Sequence, residues 1–391
     1  MIVLPKFQIR QRHEAGFSLV ELMVSIVIGL LIMSAMTAMY VNLSRANTQM
    51  AKANNVIESG RLAVEVLAED IAHAGFWGGY IPIFDDLTTA LVPTDVPTAS
   101  PDPCLVYNTN NWTPAFKSNL VGLPIQVFGD TPTGCANLLT NKQTNTDVVV
   151  VRRASNCAVG DTNCEPLDAS KVYFQASLCD TEVAAGNLYS LSATDATLKL
   201  RNCTTVAPRR KYFSNIYYIR NYASTTGDGI PTLMRSRLDL VSSAPAQEAP
   251  VALIEGIQGF AVELGLDATS RCNTPANYTT APIKVDPSTC IVNTVNADFN
   301  TAPTNRGDGV PEAPFVKCTG ATGCTAGQLM NATAAKIYVL ARSREATAGD
   351  TDAKTYSLGS TTLGPFNDGF KRHVFQLTVR INNVAARRET P

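Results

Sequence analysis

Few residues in this chain are of a type and spacing that could do chemistry. Three histidines occur, His13, His73 and His373. None stands in a nucleophile elbow, a phosphate-binding loop or an H-E-x-x-H zinc helix, so base or metal catalysis has no frame. Ten cysteines occur: Cys104, Cys135, Cys157, Cys164, Cys179, Cys203, Cys272, Cys290, Cys318 and Cys324. No two are spaced C-x-x-C, which sets aside the common zinc and thiol-redox motifs. They sit in stretches such as "ASNCAVGDTNCEP", where nothing apolar would cover a free thiol. Disulfides formed in an oxidising compartment are the expectation. The remaining oddity is one carboxylate. Glu21 stands near the start of "GFSLVELMVSIVIGLL", residues 16–31.

That carboxylate needs a reason. From Leu22 to Val41 run 20 residues without a charge. As a helix they reach about 30 Å, the thickness of a hydrocarbon core. Ahead of them Lys6, Arg10 and Arg12 outnumber Glu14, as on the cytoplasmic side of a span. A cleaved secretory signal would have a shorter apolar region and a clearer small-x-small site than "MSAMTAMYVNLSRAN" offers. A plain single-span anchor fits the length but leaves Glu21 unexplained. A carboxylate at mid-span costs roughly 2.5–3.5 kcal/mol, and less near the end. Cleavage after Gly16 would give Phe17 a new α-amino group about one helical turn from Glu21. That amine, or the amine of a neighbouring helix, could pair with the carboxylate near the positive end of the helix dipole.

A short basic leader followed by Gly16, Phe17 and Glu21 ahead of an apolar helix resembles a type IV prepilin. The resemblance implies that a prepilin peptidase cuts after Gly16 and methylates Phe17, and that Glu21 guides docking into a pilus. Many pilins carry a proline further along this helix. Here none occurs between Pro5 and Pro82, so no kink is expected.

The elements that must position these residues follow from periodicity. Leu43, Ala46, Met50, Ala53, Ile57, Gly60, Val64, Leu67, Ile71 and Ala74 recur at spacings of three and four, one face of a helix. Packing on the chain's own domain is preferred over a coiled coil, because the stripe is poor in Leu and includes Gly60. "GFWGGYIP" then stops the helix. The rest reads as β. "TDVVVVRR", "KVYFQASL", "AAKIYVLARS" and "RHVFQLTVRINN" are strand patterns. "KYFSNIYYIRNYASTTGDGIPTLMRSRLDL" reads as a hairpin turning tightly at Asp228-Gly229. No crossover helices separate the strands, so the sheets are expected to be mostly antiparallel.

The expected fold is therefore α+β. A leader covers residues 1–16, and a long helix covers 17–75, spanning a membrane over about 17–41. A β-rich domain outside the cytoplasm covers 76–391. Segments 85–145, 154–170 and 267–333 have little periodicity, and disulfides would pin them. Spacing does not fix the connectivity. The sequence-near pairs are Cys104–Cys135, Cys157–Cys164, Cys179–Cys203, Cys272–Cys290 and Cys318–Cys324. In the last strand Phe375, Leu377, Val379 and Ile381 form one apolar face, expected to pack on the helix stripe Ile57–Ile71.

"YYIRNY", "GDGIPTLMR", "VALIEGIQGFAVELGLD", "YVLARS" and "FKRHVFQLTVRINN", in that order, resemble the PilW-type minor pilins, which are similar to J-type pseudopilins. The resemblance implies a structural subunit, not an enzyme and without a cofactor. It would be inserted in the inner membrane with its domain in the periplasm, and would then join a type IV pilus near its tip. The implied partners are other minor pilins and the major pilin, met through the N-terminal helices, a tip adhesin and the prepilin peptidase. A J-type pseudopilin of a type II secretion system is the alternative. A membrane-anchored enzyme or sugar-binding module leaves Gly16-Phe17 and Glu21 unexplained. A net charge of -1 argues against a nucleic-acid binder. "PRRKYF" (208–213) reads as a solvated strand entry. "TTGDGIP" and "NRGDGVPE", with Asp228 and Asp308, read as turns rather than calcium loops. Arg387 and Arg388 read as a solvated, dispensable tail.

Overall fold

The computed structural model describes residue 16 and residues 18–193, 197–286, 289–292 and 302–389. Leader residues 1–15, Phe17, and positions 287–288 and 293–301 of the 267–333 insertion lie outside the described residues. The chain divides into two compact units, Met1–Lys52 and Ala53–Pro391.

In the first unit the described chain is almost all helix. Helix α1 runs Leu19–Ala72, without the kink that a proline would impose. From Leu19 to Met50 its large apolar side chains are exposed on every side. The segment is long and apolar enough to cross a membrane.

The second unit holds the rest of α1, the helices α2 (Pro114–Gly122), α3 (Asp180–Ala184), α4 (Ala326–Met330) and α5 (Asn382–Arg388), and sixteen strands. Strands β1 (Ile125–Phe128), β2 (Val148–Ala158), β3 (Tyr173–Ala176), β4 (Tyr189–Ser192), β5 (Arg210–Arg220), β6 (Thr232–Val241), β7 (Ala244–Gln247) and β8 (Val251–Glu255) make one sheet. A second has the order β12 (Glu312–Lys317), β9 (Ile257–Leu266), β13 (Ala332–Arg342), β16 (Arg372–Arg380). Two-stranded ribbons are made by β10 (Lys284–Val285) with β11 (Ala302–Pro303) and by β14 (Tyr356–Leu358) with β15 (Thr361–Leu363). Every described strand pair is antiparallel, as expected for strands without crossover helices. The fold class is α+β, as the sequence predicts.

The two sheets are stitched at Asp147, just before β2. Its N–H donates to the Phe260 carbonyl at 2.9 Å, and its carboxylate accepts from Val262 N at 2.7 Å and pairs with Lys317. The α1-facing side of the first sheet carries Val149, Val151, Ile219 and Leu233; the second contributes Phe260, Val262, Ile337 and Val339.

The helix meets this core with the predicted stripe from Gly60 to Ala74, and departs from it at Ile57. Val56, Gly60, Ala63, Val64, Leu67, Asp70 and Ile71 are buried, while Ile57 is 53% exposed. Gly60 explains the choice. A Cβ there would overlap the ring of Phe375, so only glycine lets β16 close on the helix. The C-terminal strand does pair in the sheet, but its predicted apolar face is corrected in part. Val379 and Ile381 are buried, Phe375 is half-buried on Gly60, and Leu377 is 42% exposed. As the edge strand, β16 leaves that part of its face beyond the width of the helix.

Three further expectations change. Segment 85–145 holds α2 and β1, and 267–333 holds three short strands and α4. Helix α2 starts with Thr113 accepting from Phe116 N and a proline at its first position, a cap that periodicity does not reveal. The hairpin β5–β6 forms in register, Arg220 opposite Thr232, but its connection is a loop over 221–231 rather than a tight turn. Asp228 folds that loop by accepting from the N–H groups of Ala223, Ser224, Thr225 and Ile230. Those bonds, that of Ile230 foremost, hold its carboxyl well below the usual carboxylate range.

Candidate assembly surface

At the start of α1, Glu21 caps its own helix. Ser18 is the residue before the first turn. Its hydroxyl accepts from Glu21 N at 3.2 Å, and its own N–H donates to Glu21 Oε2 at 3.0 Å. This is a reciprocal capping box, two otherwise orphaned donors satisfied at once. The sequence carries this signal as S-x-x-E, Ser18 to Glu21. Gly16 has open space around its Cα. The apolar surface that follows is exposed among the described residues.

The other end of α1 carries a carboxylate in the opposite situation. Asp70 is 7% exposed. Its Oδ1 accepts from Arg153 Nε at 2.9 Å, and its Oδ2 from Asn215 Nδ2 at 2.7 Å and the Tyr217 hydroxyl at 2.9 Å. Burial, with the Asp70 charge alongside, raises the Tyr217 phenol above its ordinary range, so it stays a donor. The donors come from adjacent strands β2 and β5 on the face toward the helix. A buried carboxylate is tolerable only with this degree of satisfaction.

The C-terminus overturns the expectation of a solvated tail. Helix α5 tucks back, and Arg388 is 1% exposed. Its Nε donates to Asp85 at 2.8 Å, one terminal nitrogen to Asp267 at 3.2 Å and the other to the Met330 carbonyl at 2.6 Å. Arg387 reaches the Gly75 carbonyl and Asp85. Asn383 donates to the carbonyls of His73 and Ala74, at the end of α1. Burial works against the Arg388 charge, but Asp85, Tyr278 and Asp267 together hold its pKa above the ordinary value. Two cations facing two carboxylates balance in charge, which is why so polar a helix can be buried.

The ten cysteines form five disulfides, in the sequence-near pairs. Asp102 lies beside Cys104 and Cys135 in a geometry that could suggest a metal. Both sulfurs are in the disulfide and are not thiolate ligands, and the carboxylate accepts from Cys104 N at 2.9 Å. His73 contacts the Glu69 carbonyl through Nδ1, and the His373 ring lies edge-on to Phe375; His13 is outside the described residues. "PRRKYF" is structural rather than solvated: Lys211 is buried and pairs with Asp239 at 2.6 Å. In "NRGDGVPE" the N–H groups of Asp308 and Gly309 donate to Asp267, a turn feeding the Arg388 cluster.

Residues 11–37 match the family model of the prokaryotic N-terminal methylation motif, and residues 216–383 that of type IV pilus-assembly protein W. The first match covers the capped start of α1, and the second runs from within β5 to the start of α5. Over the first stretch the chain is similar to proteins processed at an N-terminal methylation motif, and over the second to the type IV pilus-assembly protein W family. A type IV-like pilin from Thermus thermophilus is similar over 84% of this chain and 97% of its own, at 12% identity and a TM-score of 0.28, a likeness too weak to decide anything about the fold. No match was found among curated proteins. The methylation motif and the apolar helix fit a membrane-anchored pilin.

Proposed function

We propose that this chain is inserted in the inner membrane, cut after Gly16 by a prepilin peptidase and methylated on Phe17. It then joins a type IV pilus at or near the tip, with other minor pilins, the major pilin and a tip adhesin. The supporting observation is the contrast along α1. From Leu19 to Met50 the helix exposes apolar side chains on all sides, while from Val56 onward one face is buried in its own domain. A membrane would accept the first stretch, and so would a bundle of like helices after extraction. In that bundle Glu21 exchanges its own Ser18 cap for the amine of a neighbouring Phe17. The role is structural: helix packing below and domain contacts above. Mass spectrometry of the mature chain should find Phe17 N-terminal and methylated. Gly16→Arg should leave the leader attached and remove the chain from sheared pili. A mature chain that starts at Met1 would overturn the proposal.

A further inference from the structure

We propose that the cleft beside Asp70 receives one carboxylate, an acidic side chain presented by a neighbouring pilin subunit. The proposal rests on the pilin reading above and adds the point on the domain at which a partner is recognised. The cleft encloses about 260 Å³ between the last turns of α1 and the β2–β5–β6 face. Strand register puts three arginines on that face. Arg153 lies opposite Phe213, while Arg235 and Arg237 lie opposite Tyr217 and Asn215.

Only one of the three is used internally as an ion partner. Arg153 holds Asp70. Arg237 reaches the Asn215 side-chain oxygen at 3.3 Å and lies over the Phe213 ring. Arg235 hydrogen-bonds the neutral Tyr217 side chain, and only its buried Nε lacks a hydrogen-bond partner. Neither Arg235 nor Arg237 meets a carboxylate among the described residues. Both guanidinium groups thus have neutral partners only, and an arriving carboxylate would give them a charge-assisted one.

Charge selects the ligand. Arg153, Arg235 and Arg237 face Asp70 and the exposed Glu69, leaving one positive charge in excess. A single carboxylate neutralises it, whereas a phosphate dianion would overshoot and be repelled by Glu69. The guanidinium fork also matches a planar carboxylate through two parallel N–H bonds. The volume falls below that of usual small-molecule sites and suits the end of one side chain. Glu69 and His73 of α1 form one wall. Subunits that pack helix against helix would therefore bring a neighbour's side chain to this opening.

The test uses the full chain in cells that make the complete pilin set. Arg235→Lys places an amine in the cleft, and a zero-length carbodiimide joins that amine to any carboxylate in contact, forming an amide. Peptide mass spectrometry of sheared pili should find position 235 joined to an Asp or Glu of another pilin. Joining only to this chain's Asp70 or Glu69, or no joining in incorporated protein, overturns the proposal. Arg237→Gln, which keeps a side-chain donor beside Asn215 and adds no charge next to Asp70, should accumulate normally, with disulfides formed and the leader removed, yet fall at least tenfold in sheared pili. Normal recovery of that variant also overturns it. If the wild-type chain itself is missing from pili, the pilin reading fails instead.

Discussion

Two carboxylates on one helix meet opposite fates. Glu21 is exposed, and among the described residues its hydrogen-bond partners are its near neighbours Ser18 and Ser25. Asp70 is buried and takes donors from strands 83, 145 and 147 residues away in sequence. The apolar residues around them divide in the same way. Those near Glu21 are exposed among the described residues, whereas Val64, Leu67 and Ile71 near Asp70 lie in the core. The difference teaches where selection acts. Substitutions near Asp70 are read by the stability of this chain, and substitutions near Glu21 are read only when something outside the chain covers the helix.

The sharpest break of this comparison lies in the terminal helix that closes the Asp70 end. Arg388→Met leaves Asp85 and Asp267 buried with their main partner gone. Losing one member of a buried ion pair costs roughly 3–5 kcal/mol. Thermal unfolding of the full chain in detergent should show a drop of several degrees, and the chain should fail to accumulate in cells. Unchanged melting would remove α5 from the account. Asp70→Ala comes next, with an expected loss of about 2–4 kcal/mol, because Arg153, Asn215 and Tyr217 all lose an acceptor in a buried setting. Asp70→Asn should recover part of that, and equal losses for the two variants would mean that shape rather than charge matters there.

Gly60→Ala tests the packing side. The added Cβ meets the Phe375 ring, and overpacking of this kind costs about 1–3 kcal/mol. Pairing it with Phe375→Leu should restore stability, and the double-mutant cycle should give a clear coupling term; additive losses would argue against the contact. Glu21→Gln is predicted to leave the unfolding of the domain unchanged within about 0.5 kcal/mol, since only the first turn of α1 loses a cap. Its recovery in sheared pili should nevertheless fall. A domain destabilised by this change would erase the distinction between the two carboxylates.

The smallest effect is a pH dependence. The Asp368 carboxyl is held below its ordinary range, chiefly by the Arg372 hydrogen bonds. Its folded pKa is thus below its unfolded one, so its contribution is present above the unfolded value of about 3.9 and fades as pH falls below it. Asp368→Asn should therefore be less stable than the parent at pH 7, with the gap narrowing by pH 3. A gap that widens in acid would reverse the assignment.

Much of this was legible in the sequence. The apolar run from Leu22, the helix beyond it, the antiparallel strands and the close pairing of cysteines depend on neighbours a few residues apart, and local patterns record such neighbours. The misreadings have one source as well. Ile57 and Val56 are adjacent, and spacing alone could not choose between their faces; the contact of Phe375 on Gly60 chose. Arg387 and Arg388 read as solvent-facing because a charge at a chain end normally is. Nothing local announces Asp85, 303 residues away, or Asp267, 121 residues away.

The sequence by itself determined the main elements: the long helix, the principal strands, and which stretch can enter a membrane. Tertiary structure alone decided which charges are buried. A short-range pattern fixes backbone conformation, because helix and strand are set by residues within a few positions of one another. Burial of a charge is decided by whether opposite charges converge on it, and that convergence exists only after strands distant in sequence have been laid side by side.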